Sequence, residues 1–137
     1  MPDLIIRNAT LVLPTETMQA DIAIEHGKIT NIASEISSPS KQEINATGLH
    51  AFPGLIDVHF NEPGRKEWEG IQTGSSALAA GGGTLYVDMP LNSDPPLLTA
   101  KDFYAKKELS EQTAYTDFAF WGGLTPDNLD HLPELAE

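Results

Sequence analysis

The first fifty residues combine short apolar runs with stretches in which apolar and polar side chains alternate. Such patterns are typical of short β-strands that bury one face. Between two alternating stretches, His26 and Gly27 suit a tight hairpin turn, because glycine accepts a positive φ at no steric cost. The predicted strands are residues 4–6, 11–13, 21–25, 28–32 and 43–46. Residues 1–50 are therefore predicted to supply the N-terminal strands of a β-sandwich domain.

From residue 51 the pattern changes to apolar strands that alternate with helices. Predicted strands cover residues 55–59, 85–89 and 118–121, and predicted helices cover 73–80, 100–111 and 126–135. Thr99 is a candidate N-cap for the second helix. Alternation of this kind indicates an α/β fold with parallel strands and right-handed crossovers. Three such units are compatible with a small open sheet or with the start of a (β/α)₈ barrel, which takes about 250 residues when complete.

Composition narrows the class of protein. The chain has 137 residues, a formal net charge of −12 and no cysteine. An acidic chain repels phosphate backbones, so no nucleic-acid partner is expected. No apolar run is long enough to span a membrane, and the first residues lack a secretory signal, so no membrane partner is expected either. Without cysteine there is neither a disulfide nor a thiolate metal site, which is compatible with a cytoplasmic protein.

The residues best suited to catalysis or metal binding are Asp57 and His59, at the end of the first predicted strand after residue 51. Two residues apart on a strand, they lie on one face. In parallel α/β folds, sites form at the carboxyl ends of the strands. Histidine can ligate a metal there while a nearby carboxylate orients it. On its own, however, this pair is more typical of a hydrogen-bonded structural histidine.

Several further motifs follow in order along the chain. They are Pro53-Gly54-Leu55-Ile56-Asp57-Val58-His59, Glu62-Pro63-Gly64-Arg65, Asp88-Met89-Pro90-Leu91-Asn92 and Phe120-Trp121-Gly122-Gly123. Together they resemble the first three barrel strands of the amidohydrolase superfamily, in its cyclic amidohydrolase branch and closest to the allantoinase type. The resemblance also covers the N-terminal strands. It implies that residues 51–137 form the first three βα units of an incomplete TIM-like barrel.

The resemblance implies the chemistry of a cyclic-amide hydrolase. Family members hold a binuclear zinc centre with a carboxylated lysine, whose bridging hydroxide attacks the ring amide. In this chain His59 would be a metal ligand and Asp57 would orient it. The general-base aspartate is expected further along the family sequence, so no catalytic residue is assigned here. A homo-oligomer is expected for a full-length enzyme.

Two asparagines are predicted to contact the substrate, a small cyclic ureide. Asn61 stands where dihydroorotase-like sequences place an arginine for a substrate carboxylate, and an amide suits an uncharged ring better. Asn92 resembles a substrate-loop residue, although a turn role before Pro95 explains it equally well. Arg65 and Trp68 are interpreted as ion-pair and packing residues at the barrel rim. Allantoin is thus favoured over the substrates of hydantoinases, dihydropyrimidinases and dihydroorotases.

The chain departs from the family motif Asp-x-His-x-His-x-x-Glu-Pro-Gly in lacking two residues, and with them one ligand histidine, between Asp57 and Glu62. His59 can correspond to either histidine of the motif. No residues match the later ligands, so the 137-residue chain is expected to be an inactive N-terminal fragment. The alternatives are a non-catalytic scaffold of the same fold and, more remotely, an unrelated small α/β protein.

Overall fold

A computed structural model describes residues 1–61 and 69–136. The chain divides into two compact units, residues 1–53 and residues 54–137. In the part that the structure describes, no helix is both long enough and apolar enough to cross a membrane.

The first unit is a mixed five-stranded sheet. Its strands are β1 (Leu4–Val12), β2 (Thr17–Glu25), β3 (Lys28–Ala33), β4 (Gln42–Asn45) and β5 (His50–Ala51). The order is β3-β2-β1-β4, and β5 also pairs with β1. The β1–β2 and β2–β3 pairs are antiparallel, whereas β4 and β5 run parallel to β1. Buried aliphatic side chains form two clusters in this unit, one that includes Ile5 and one that includes Leu11.

The two apolar runs that were predicted to be separate strands are one strand, β1. The pairing with β2 shifts register between Ile6 and Ala9, and Asn8 within this irregularity has a φ of 59°. Asparagine tolerates this left-handed conformation better than most residues. The bulge absorbs the polar residue without ending the strand, and for that reason the two predicted strands are continuous.

The hairpin predicted at His26 and Gly27 is present. Their φ angles are 51° and 72°, as a two-residue turn with positive φ at both positions requires. Glu25 and Lys28 pair directly across it. The carboxylate of Asp3 accepts the His26 backbone N–H at 2.7 Å.

A buried carboxylate, Asp21, organises the middle of this unit. It accepts hydrogen bonds from the Asn8 N–H at 2.9 Å, from Arg7 Nη1 at 3.0 Å and from the Ile36 N–H at 3.1 Å. These donors, the Asn8 amide first, hold the pKa of Asp21 below its ordinary value. The second guanidinium nitrogen of Arg7 binds the exposed carboxylate of Glu43 at 2.6 Å. One arginine therefore joins a buried and an exposed carboxylate.

The second unit is a three-stranded parallel sheet with helices in its connections. Its elements are β6 (Leu55–Phe60), α1 (Gly70–Ala80), β7 (Gly83–Asp88), α2 (Ala100–Thr113), β8 (Asp117–Phe120), a 3₁₀ turn (Leu129–His131) and α3 (Leu132–Leu135). The strands lie in the order β6-β7-β8. Thr99 caps α2 as predicted, in a reciprocal capping box with Asp102.

Aromatic rings link the three strands to the helices. The Tyr86 ring lies 4.3 Å from that of Phe60 and 6.1 Å from that of Phe118, measured between centroids. Phe120 meets Phe103 of α2 edge to face at 5.8 Å. Tyr86 is completely buried, whereas other apolar side chains of β6, Leu55, Ile56 and Val58, are each more than half exposed. The sheet is thus well packed around Tyr86, and β6 retains exposed apolar surface.

The predicted third helix, residues 126–135, is wrong in extent. Only a 3₁₀ turn and the four-residue α3 form there. The Asn128 side chain accepts the Thr125 N–H at 2.8 Å and donates to the carbonyls of Leu98 and Gly123 at 3.0 and 2.9 Å. These bonds compete with a helical backbone, and Pro133 has no N–H for a continuous ladder. Tertiary hydrogen bonding therefore overrides the local helical pattern.

Candidate functional site

Three of the four predicted site residues lie at or after the carboxyl ends of the parallel strands, and Asp57 lies in the middle of β6. Asp57 and His59 belong to β6, and Asn61 follows its last residue. Asn92 lies in the loop that connects β7 to α2. Because β6 and β7 are parallel neighbours, both carboxyl ends open on the same edge of the sheet. This edge is the candidate site.

Asp57 and His59 contact each other through the backbone. One Asp57 carboxylate oxygen, Oδ1, accepts the backbone N–H of His59 at 2.9 Å, and His59 is exposed. The pairing of β6 with β7 shifts register between Asp57 and Phe60. This irregularity falls in the segment where the chain is two residues shorter than the family motif. The hydrogen bond of this carboxylate oxygen is thus to the main chain of His59 rather than to its imidazole.

Asn61 and Asn92 are brought together. The Asn92 side-chain amide donates to Asn61 Oδ1 at 2.7 Å, and the Asn61 amide donates to the His59 carbonyl at 3.3 Å. The loop after β7 is thereby connected to the end of β6. The two residues predicted to contact substrate therefore lie side by side on this edge. Their positions in the sequence did not predict this contact.

Trp121 is a site-edge residue that sequence reasoning missed. Its indole N–H donates to the Val58 carbonyl at 3.0 Å, and its backbone N–H donates to the Asp88 carbonyl at 3.0 Å. The side chain is 50% exposed. Since Val58 lies on β6 and Asp88 on β7, Trp121 ties the end of the third strand to both others. The sequence placed Trp121 in the motif of the third strand but did not indicate that its side chain would reach Val58 on β6.

A buried polar cluster beneath the loop was also missed. Asp88 at the end of β7 forms an ion pair with Lys106 of α2, and Lys106 also donates to the Ser93 hydroxyl. Asp88 is 1%, Lys106 8% and Ser93 9% exposed. A lysine in a polar helix is ordinarily assigned to the solvent face. The only indication in the sequence was the aspartate that closes an otherwise apolar strand.

The described residues do not make a metal centre. Within residues 1–61 and 69–136, no three histidine, cysteine, aspartate or glutamate side chains lie together. A catalytic zinc typically takes three protein ligands, whereas the predicted residues here are one imidazole, that of His59, and one carboxylate, that of Asp57, which is bonded to a backbone amide. Arg65 and Trp68, predicted to lie at the rim, fall outside the described residues.

Comparison with known proteins shows which enzymes the chain is similar to. No family model matches it. It is 52% identical to the allantoinase of Deinococcus radiodurans over 98% of this chain and 31% of that protein, and 55% identical to the allantoinase of Desulfitobacterium hafniense strain Y51 over 98% and 30%. The L-hydantoinase of Arthrobacter aurescens superposes with a TM-score of 0.93 at 30% identity, over 99% of this chain and 31% of that one.

The chain therefore spans about a third of the length of the curated relatives it matches. Over that length the chain is 52–55% identical to these allantoinases, and its fold is that of the hydantoinases. The sequence motifs at the ends of β6, β7 and β8 and the superposition of the whole chain lead to the same assignment. Over the third of their length that it spans, the chain is similar to allantoinases and hydantoinases, which supports its resemblance to the cyclic amidohydrolase branch of the amidohydrolase family.

Proposed function

We propose that this chain supplies part of the ring-binding edge of an allantoinase-type hydrolase, which opens the ring amide of allantoin to give allantoate. The observation that supports this most directly is the hydrogen bond between Asn61 and Asn92, which joins the ends of two parallel strands. Identity of 52–55% to allantoinases over nearly the whole chain supports the choice of substrate.

The amide groups of Asn61 and Asn92 match the chemistry of a ureide. Such a ring presents N–H donors and carbonyl acceptors but no charge, and a carboxamide offers both a donor and an acceptor. Hydrogen bonds of this kind discriminate well between substrates, because a ligand that lacks the partner group leaves a polar atom of the protein unpaired. In this proposal the two asparagines orient the ring and do not take part in proton transfer.

Hydrolysis needs more metal ligands than the described residues bring together. Zinc in such enzymes lowers the pKa of a bound water and polarises the scissile carbonyl. We propose that His59 contributes one ligand and that Asp57 supports it through its hydrogen bond to the His59 backbone. The remaining ligands and the general base would come from the two thirds of the relatives that this chain does not span.

A hydantoin ring is the second candidate substrate. It is favoured by the TM-score of 0.93 to an L-hydantoinase, although identity to that protein is only 30%. Allantoin contains a hydantoin ring with a ureido substituent, so the two candidates share the proposed contacts with Asn61 and Asn92. The two candidate substrates differ in the ureido substituent, which allantoin has and hydantoin lacks.

Ligand-observed saturation-transfer NMR would test the ring-binding proposal, with allantoin, hydantoin and dihydroorotate as probes. We expect transfer to allantoin and hydantoin, and weaker but measurable signals from both in Asn92→Ala. Asn31→Ala is a matched control, because Asn31 is an exposed asparagine on β3. Stronger transfer to dihydroorotate, or equal loss in the control, would overturn the assignment.

Activity provides a second test. The chain incubated with zinc and allantoin should release no allantoate, because the described residues lack a three-ligand centre. Turnover by the chain alone would show that its own residues complete the site.

A further inference from the structure

The loop after β7 is attached to α2 by a buried hydrogen bond one residue away from Asn92. From this arrangement we infer that Ser93, held by Lys106, is a positioning residue for Asn92. The inference rests on the proposed role of Asn92 in ring binding. It adds Ser93 as a residue that affects substrate specificity by orienting Asn92.

The buried side chain of Lys106 holds the loop. Lys106 is 8% exposed and contacts both the Asp88 carboxylate and the Ser93 hydroxyl. An ammonium group at this depth has a defined position, because Asp88 belongs to β7 and Lys106 to α2. Through Lys106, the loop residue Ser93 is thus attached to α2 and β7.

The loop is closed by further bonds on the same side. The Ser93 hydroxyl donates to the Met89 carbonyl at 3.4 Å, and the Leu97 N–H donates to the Pro90 carbonyl at 2.9 Å. These bonds confine residues 90–97 to a compact turn. Asn92 at its outer side is exposed and reaches Asn61. The orientation of Asn92 therefore depends on the anchored serine next to it.

A second buried serine, Ser110 of α2, has a hydroxyl that accepts the Tyr86 O–H and makes no bond to the loop among those described. Ser110 is 0% exposed, and its hydroxyl is 3.5 Å from that of Tyr86, in the sheet. Loss of the Ser110 hydroxyl should disturb packing without releasing Asn92, which makes Ser110→Ala a matched control for Ser93→Ala.

Hydrogen–deuterium exchange on the full 137-residue chain tests the attachment without a ligand. Ser93→Ala removes the anchor and leaves the Lys106–Asp88 ion pair in place. Peptides that cover residues 89–99 should exchange faster in Ser93→Ala than in the wild type or in Ser110→Ala. Unchanged exchange in this segment would overturn the inference, whatever the chain binds.

A double-mutant cycle with hydantoin as the probe tests the action through Asn92. Releasing one polar side chain should weaken hydantoin binding about two- to tenfold in Ser93→Ala. In the Asn92→Ala background the same change should have no further effect, since a residue that acts only through Asn92 has nothing left to position. Equal weakening in both backgrounds would show a general structural role and overturn the inference.

The two readouts separate the possible failures. If the loop exchanges faster in Ser93→Ala but the wild-type chain does not bind hydantoin, the attachment stands and ring binding by this chain is refuted. If hydantoin binds and Asn92→Ala weakens binding while Ser93→Ala leaves affinity unchanged, the proposed function stands and the positioning role of Ser93 is refuted.

Discussion

Asp21→Asn should destabilise the first unit strongly, although the side chain keeps its shape. In the wild type, Oδ1 accepts the Asn8 N–H, and Oδ2 accepts both Arg7 Nη1 and the Ile36 N–H. An asparagine has one acceptor oxygen and one NH₂ group. Whichever way the amide turns, a donor faces a donor, and the guanidinium of Arg7 loses its buried countercharge.

The size of this effect follows from the burial. The Asp21 side chain is 6% exposed, so water does not replace the lost partner. One unsatisfied buried donor and a weakened charge-assisted bond together cost about 2–4 kcal/mol in the free energy of unfolding. Glu43→Gln is the matched control on the same arginine. Glu43 is 49% exposed, so solvent compensates and the change should be much smaller.

Urea denaturation followed by circular dichroism, from pH 7 down to pH 3, would measure both variants. The pKa of Asp21 is lowered by folding, so its stabilising contribution is complete above the unfolded-state pKa, about 3.9, and is lost as pH falls through the folded-state value. The difference between wild type and Asp21→Asn should therefore narrow below about pH 4. Equal effects of the two variants at pH 7, or a constant difference across this range, would refute the reasoning.

Three further substitutions can be checked by the same denaturation assay. Gly74→Ala places a Cβ 2.7 Å from the Phe60 ring, which is stacked on Tyr86, and should cost about 1–2 kcal/mol despite better helix propensity; a gain in stability would contradict this packing. Asn128→Ala leaves the Leu98 and Gly123 carbonyls without their donor and should cost about 2–4 kcal/mol, whereas a neutral result would show that the loop re-forms without it. Thr99→Ala should cost about 1 kcal/mol through the lost cap of α2, and Thr99→Ser should restore most of it.

The sequence predicted well wherever a few neighbouring residues decide the structure. The His26-Gly27 turn and the Thr99 cap depend on local backbone geometry, and both formed as predicted. The strands of the parallel sheet also agree with the predicted ones, with boundaries shifted by one or two residues. Such features need no knowledge of the rest of the fold.

The sequence predicted poorly wherever distant residues meet. Asn128 binds two carbonyls from other segments, and those bonds convert a predicted helix into a 3₁₀ turn followed by one short turn of helix. Lys106 lies in a polar helix but contacts a buried carboxylate from β7. A periodicity argument treats each helix alone and cannot pair these groups.

The candidate site follows the same division. The motif at the end of β6 identified Asp57, His59 and Asn61, and the motif after β7 identified Asn92. The contact between the two asparagines required the parallel alignment of β6 and β7. Their roles in binding a ring or a metal are proposals that ligand binding and activity will test.

The order β6-β7-β8 has a consequence for synthesis of the protein on the ribosome. Among the described strands of this sheet, β7 and β8 each pair with the strand translated just before it. Loops of this modest length cost little entropy to close, and contacts between near neighbours in the chain favour rapid folding. Translation at about 5–20 residues per second leaves ample time for each strand to dock before the next emerges. These three strands can therefore dock one after another, so that the Tyr86 ring can meet Phe60 of the earlier strand before Phe118 of the later one is translated.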